Sequence, residues 1–477
     1  MDRQTINSPT DTTTTHGIPL SDFEWYMLCD DRPSHPMVFV VAADIIGRLS
    51  EPEFRQAARD LLASQPLLRS VVDGSGKSAT WRQVEIPADI VKFEIVNDNE
   101  LTRRMPGVTR IDIRTRPGIL IEVLTSNEQA KITLHLHHSS CDGIAGAQLI
   151  SELLARYGQM TAGDGRKPTF DPPREEDLAL RENYEPPETA SAPRPKRSVL
   201  QIAAKIGRLL LRKPTPIASS AQRGCASFEP ANNAIRTASL DIDAHRALRA
   251  VANRLNVSLN DILLREMFML IRDWNQQAKL PTGKRWMRIA MPLSMRTSRH
   301  AQIPACNIVS YALVTRRFCE CSSPDELARS IHEQTGNVLF YREGLIALKL
   351  FRILRRFSFG MQLFLAAKSC MNTIVVENIG DVRRRFSGRF PLQDGRWVAG
   401  NVLVRRLYGV APVRPNTLAA VSIGDYAGEL SISLRTDGTA LSEEDSRRFF
   451  EHYLQRLQAL VAASQGTGPN AETLQEN

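Results

Sequence analysis

The rhythm of apolar and polar positions divides the chain into strands and helices before any residue suggests chemistry. A run of apolar, largely β-branched residues predicts a strand over 37–46, and a helix follows over 51–64. Short strands are expected over 68–72 and 79–84. Residues 119–125 and 131–138 read as a hairpin around Ser126-Asn127-Glu128. After Asp142-Gly143 the period changes from two to about 3.6. Leu149, Leu153, Leu154 and Tyr157 then share one face of a helix over 145–157.

Pro, Ala and charged residues crowd 163–198, which reads as a linker. A second folded half is expected from about Ala226. It carries helices over 244–255 and 259–274, strands over 286–292 and 308–315, and helices within 324–370. Further strands are expected over 373–376, 398–404, 418–423 and 429–435, and a last helix over 442–462. Both halves close on strand, turn, strand, Asp-Gly and helix, with Asp437-Gly438 echoing Asp142-Gly143. The expected division is a disordered 1–16, a first lobe 17–162, a linker 163–225, a second lobe 226–464 and a disordered tail 465–477.

Length and composition agree with two globular lobes: 477 residues, 42% hydrophobic and 24% charged. The N-terminus has no signal-peptide pattern, and no apolar run reaches the length of a spanning helix. Seven scattered cysteines argue against a disulfide framework and fit a reducing cytoplasm. The net charge of +9 has a local origin. Between Thr189 and Phe228 there is no acid, while Arg194, Lys196, Arg197, Lys205, Arg208, Arg212, Lys213 and Arg223 are all cationic. No aromatic residues interleave with these charges, which disfavours nucleic-acid binding. Over 197–212 the apolar residues gather on one helical side and the cations on the other, a pattern suited to peripheral contact with an anionic membrane. Residues 345–365 carry a second mixture of apolar and basic side chains, for which packing on the enzyme body is expected.

The chemically informative stretch is His135-Leu136-His137-His138-Ser139-Ser140-Cys141-Asp142-Gly143. Strand alternation puts Ile132, Leu134 and Leu136 on one face and Thr133, His135 and His137 on the other. His138 follows the apolar series inward at the strand end. Imidazole there is mostly neutral at neutral pH and able to take a proton. A strand histidine is commonly a satisfied core residue, but three within four positions before Asp-Gly weaken that reading. Metal binding is disfavoured because His137 and His138 diverge and no other ligands stand at metal spacing. Ser139 and Cys141 lack a nucleophile elbow.

His137-His138-Ser139-Ser140-Cys141-Asp142-Gly143 resembles the HHxxxDG signature of the condensation-domain and wax ester synthase/diacylglycerol acyltransferase superfamily. Other elements follow in the family's order: Pro19-Leu20-Ser21-Asp22, His35-Pro36-Met37, Gln65-Pro66-Leu67-Leu68-Arg69, Asn260-Asp261, Pro292-Leu293-Ser294-Met295-Arg296 with Asn307, and Val375-Val376-Glu377-Asn378-Ile379-Gly380. The resemblance spans about 19–460. This sequence departs from it at Glu377, where Ser is common, and at Cys306, where Gly precedes the Asn.

The resemblance implies an α+β fold of two chloramphenicol-acetyltransferase-like lobes, each a mixed sheet covered by helices, with an active-site tunnel between them. It places His138, with His137 and Asp142, in the catalytic set, His138 being the general base. Arg69 is the candidate ion-pair partner of Asp142, and Gly143 supports the turn. Asn260, Asn307 and Asn378 are candidate pocket residues, with helix caps or turns as their plainer reading. The implied reaction moves an acyl group from acyl-CoA to a fatty alcohol or diacylglycerol by direct transfer. No cofactor or metal is needed, since the thioester is itself a substrate. A condensation-type transferase using a carrier-bound donor and an amine or specialised alcohol is the alternative, and a non-catalytic lipid- or carrier-binding module is a third.

Overall fold

The computed structural model describes residues 17–104, 107–185, 198–223, 234–357, 359–366 and 370–465. The expected disordered N-terminus, nearly all of the expected tail, the start of the second lobe near Ala226 and the linker cations Arg194, Lys196 and Arg197 lie outside them.

Two sheets carry the architecture. The first runs Leu392–Gln393, Arg396–Ala399, Val402–Val410, Val38–Ile46, Gln129–His137, Ile119–Thr125, Val91–Ile95. The second runs Val309–Arg317, Trp286–Ser294, Ile374–Asp381, Ala419–Tyr426, Glu429–Thr436, Ala234–Leu240. Both mix parallel and antiparallel pairs, and helices cover them. The expected two-lobed α+β class is what the chain adopts.

The sequence division at 226 does not separate the sheets. Val402–Val410 pairs antiparallel with Val38–Ile46, so three strands from the chain's second half complete the first sheet. The single strand expected over 398–404 is a hairpin, because Gly400-Asn401 turns the chain and Gly400 takes a φ of +65°. The stretch expected as a linker is also anchored. Leu178 is buried, and Arg181 donates to Glu24 at 3.2 Å and caps Leu178 O.

Glu24 belongs to a helix the apolar pattern did not reveal, Asp22–Asp30. Ser21 and Glu24 form a reciprocal capping box at its start, and Trp81 Nε1 donates to the same carboxylate.

Two layers position the histidine strand. Ile132, Leu134 and Leu136 pack with Phe39 and Val41 beneath helix Gly143–Thr161, which buries Leu149, Ile150, Leu153, Leu154 and Tyr157 against them. Each buried leucine contributes on the order of 1.5–3 kcal/mol. A side chain at Gly146 would meet Phe39 at 2.8 Å, so glycine lets the helix lie close to the sheet.

The echo between the halves extends to their contacts. Asp142, before the first closing helix, is held by Arg296 from the second half. Asp437, before the last helix Glu443–Gln465, is held by His35 from the first half at 3.1 Å. Each Asp-Gly turn is thus clamped by a basic side chain of the opposite half.

Candidate active site

The strand Gln129–His137 ends where His138 N–H donates to Met37 O at 2.7 Å. The three histidines meet different fates. His135 is fully buried, with Nε2 2.9 Å from Glu122 Oε2 and Nδ1 accepting from Thr109 N–H. It is a satisfied structural residue. His137 Nδ1 accepts from Ser139 N–H at 3.1 Å, which fixes the proton on Nε2, 3.6 Å from Asp31 Oδ1. Burial alone would raise the Asp31 carboxyl. His137, Met37 N–H and Arg110 outweigh it and hold the pKa below the usual range. His137 therefore braces the turn from the face opposite the core.

His138 is only partly buried, between Phe39 (ring centroids 5.2 Å) and Phe23 (6.0 Å). Its Nδ1 is buried and makes no hydrogen bond of ordinary geometry among the described residues. Burial pushes the imidazole pKa below its ordinary value, against the pull of the residue's own backbone, Asp142 and Asn307 towards the charged form; His137 acts with burial. A neutral imidazole at neutral pH can take a proton from a hydroxyl or amine.

Asp142 caps helix Gly143–Thr161, its Oδ1 accepting from Ala145 N–H at 2.9 Å. Its Oδ2 accepts from Arg296 Nη1 at 2.7 Å and Ile308 N–H at 2.8 Å. Burial works to raise its pKa, but Arg296 and the two backbone donors keep the carboxyl below the usual range. Arg69, the expected partner, instead meets Glu175 at 3.2 Å on a more open surface. The correct arginine lies in the Pro292-Leu293-Ser294-Met295-Arg296 element. That element is recognisable as a motif, but only the pairing of Trp286–Ser294 with Val309–Arg317 brings its arginine to Asp142.

The candidate asparagines divide into two groups. Asn307 donates to His138 O at 2.8 Å and Ser139 O at 2.9 Å, so it fixes the histidine turn. Cys306 O accepts from Arg296 Nη2 at 3.3 Å, which ties this departure from the family pattern to the same clamp. Asn260 and Asn378 meet each other at 3.2 Å, and Asn378 Oδ1 also accepts from Gly380 N–H in a local turn. Both line a cleft of about 390 Å³ between the halves, together with Asp142, Gly143, Ser294, Arg296, Glu377 and Arg385.

Glu377 is the feature of this cleft that sequence reading flagged but did not explain. A side chain on Gly143 would sit 2.3 Å from Glu377 Oε1, so the glycine makes room for the carboxyl. Burial, then the charge of Asp142, pushes the Glu377 pKa up to about 7. A carboxyl raised on folding costs stability in its ionised form. The cost is absent below its unfolded pKa of about 4.3 and complete above about 7. Glu377→Gln is therefore expected to melt above wild type at pH 8, by on the order of 1–3 kcal/mol, with the difference vanishing towards pH 4.5. Thermal unfolding across that range checks it; a constant difference would remove the titration from the account.

No family model matches the sequence, and no curated protein matches it. Solved structures do, at the level of fold. The chain is similar to SgcC5 from Streptomyces globisporus, with 16% identity, a TM-score of 0.64, and coverage of 93% of this chain and 98% of that one. Trichothecene 15-O-acetyltransferase TRI3 from Fusarium sporotrichioides matches at 10% identity and TM-score 0.64, covering 93% and 95%. Polyketide synthase associated protein 5 from Mycobacterium tuberculosis matches at 15% identity and TM-score 0.59, covering 94% and 98%. The first condensation domain of the calcium-dependent antibiotic synthetase shares the same two-lobed, chloramphenicol-acetyltransferase-like fold, at 15% identity and a TM-score of 0.63, covering 94% of this chain and 96% of that one.

Proposed function

We propose that the chain is an acyltransferase that carries an acyl group from a thioester to a hydroxyl acceptor, with His138 as general base. Acyl-CoA is the preferred donor in this reading, and a fatty alcohol or diacylglycerol the preferred acceptor. The observation that carries it is the placing of His138 at the strand end, between Phe23 and Phe39, in the turn that the Asp142–Arg296 pair clamps where the two halves meet; burial there favours the neutral imidazole. His138 takes the acceptor's proton as its oxygen attacks the thioester carbonyl. The C–O bond forms, the C–S bond breaks, and the leaving thiolate recovers the proton from the imidazolium. The products are an ester and a free thiol, and no covalent enzyme intermediate is required. The fold shared with an O-acetyltransferase supports this reading.

A second reading is favoured by Glu377. A carboxyl lining a cleft with Asn260, Asn378 and Arg385 suits a polar or amine-bearing substrate better than bare hydrocarbon. The likeness to condensation domains points the same way, towards a carrier-bound donor. Incubating the wild-type protein with labelled acyl-CoAs and acyl-pantetheine carriers, each against alcohols, diacylglycerol and amines, separates the readings. Ester from acyl-CoA is the expected product; amide from a carrier-bound donor selects the second reading. No transfer with any pair would leave a binding module.

A further inference from the structure

Helix Gly344–Arg356 has two unlike faces. Gly344, Leu348 and Phe351, at spacings of four and three, are buried. Phe351 stacks on Tyr26 with centroids 4.2 Å apart and meets Phe23 at 6.1 Å, and Phe23 in turn lies 6.0 Å from His138. The inner face thus belongs to the aromatic wall beside the candidate base.

The outer stripe is Lys349, Arg352, Ile353, Arg356 and Phe357, all exposed. Further exposed apolar side chains follow directly in the chain. Phe357 is 65% exposed, Phe359 73%, and Leu363, on helix Gly360–Ala366, 74%. Exposed apolar side chains of this size, grouped on one helix, its connection and the next helix, mark an interaction surface.

Its charge says what it meets. From residue 344 to 376 the sequence contains no Asp or Glu. Arg352 and Arg355 are paired with Asp22, whereas Lys349 and Arg356 form no ion pair among the described residues. We propose that this outer face, built from Lys349, Ile353, Arg356, Phe357, Phe359 and Leu363, seats the protein on an anionic lipid surface. The large apolar side chains enter the acyl boundary, and the unpaired cations stay at the head groups.

The basic segment expected to serve this role, 197–212, is less suited. Its helix, Val199–Leu211, spends Lys205 on Glu343, and Arg288 donates to the carbonyls of Leu209 and Arg212. Gln201, Lys205, Arg208 and Arg212 face a cleft shared with Arg316 and Gln334. Its exposed Leu200 and Leu211 sit at opposite ends of the helix.

Vesicle co-sedimentation of the full chain tests the proposal without any acyl transfer, so its outcome is separable from that of the proposed activity. Wild type is expected to bind phosphatidylcholine vesicles containing phosphatidylglycerol, and to bind pure phosphatidylcholine far less. The triple variant Phe357→Asp, Phe359→Asp, Leu363→Asp should lose about tenfold or more of that binding. The paired variant Leu200→Asp, Leu211→Asp should not. A second measurement avoids added charge: the emission that Phe359→Trp adds to the wild-type spectrum should shift to the blue with the anionic vesicles. Wild type that ignores both vesicles, loss that follows the Leu200/Leu211 variant, or no such shift in Phe359→Trp would each overturn the proposal. Preference for an acidic soluble protein over the vesicles would overturn it too.

Discussion

Replacing His138 with alanine is expected to lower acyl transfer by about 10²–10⁴-fold, the range for loss of a positioned base. The neighbours of His138 make a structural explanation of such a loss testable. Its ring packs between Phe23 and Phe39 and is only partly buried, while the strand end is held by backbone bonds and by Asn307, none of which needs the imidazole. His138→Ala should therefore melt close to wild type. His138→Gln, which keeps most of the volume but has no basic nitrogen, should be as inactive as the alanine variant. Loss of activity without loss of melting temperature in both variants locates the effect in proton transfer. Near-normal activity in either would remove His138 as the base.

The second large effect falls on Arg296. Its guanidinium joins Asp142 Oδ2 to Cys306 O, and Asp142 in turn caps the helix after the histidine turn. Removing one partner of a buried pair leaves the other charge without compensation, which costs roughly 3–5 kcal/mol. Arg296→Ala is therefore expected to lose that much in denaturant unfolding and most of its acyl transfer, since His138 and Asp142 share one turn. Arg69→Ala removes a more exposed contact with Glu175 and should change stability by no more than about 1 kcal/mol. Equal effects of the two substitutions would contradict the clamp.

These contrasts also show which parts of the site local sequence pattern can carry. The histidine strand, its turn and the helix after Asp142-Gly143 were legible because a period of two gives way to a period of 3.6 across a turn. The choice of arginine was not, because Arg296 is 154 positions from Asp142 and meets it only through strand pairing in the second sheet. The helix Asp22–Asp30 escaped the periodicity because Phe23, Glu24, Trp25, Tyr26 and Met27 are all buried, leaving no polar face to mark a period. Ser21 and Glu24, at capping-box spacing, were the local signal that could have revealed it. The crossing of Val402–Val410 into the first sheet has no local signature, because register between distant strands is set by tertiary fit.

The outer face of Gly344–Arg356 is a different case. Its mixed apolar and basic composition was visible, and packing on the body was the expected fate. One face does pack, through Leu348 and Phe351. Which residues remain outside follows from the angular placement of Phe351 against Tyr26, and sequence alone does not supply that.

Direct acyl transfer from a thioester with His138 as base yields an ester and a free thiol and leaves the enzyme unmodified. The most direct test quantifies ester and free thiol together, for wild type and His138→Ala, with acyl-CoA and an alcohol, alongside the intact mass of the enzyme after thioester alone. The expected result is ester and thiol in equal amounts from wild type, almost none from the variant, and no acylated protein. Transfer that persists in His138→Ala, or a stable acyl adduct on the chain, would contradict it.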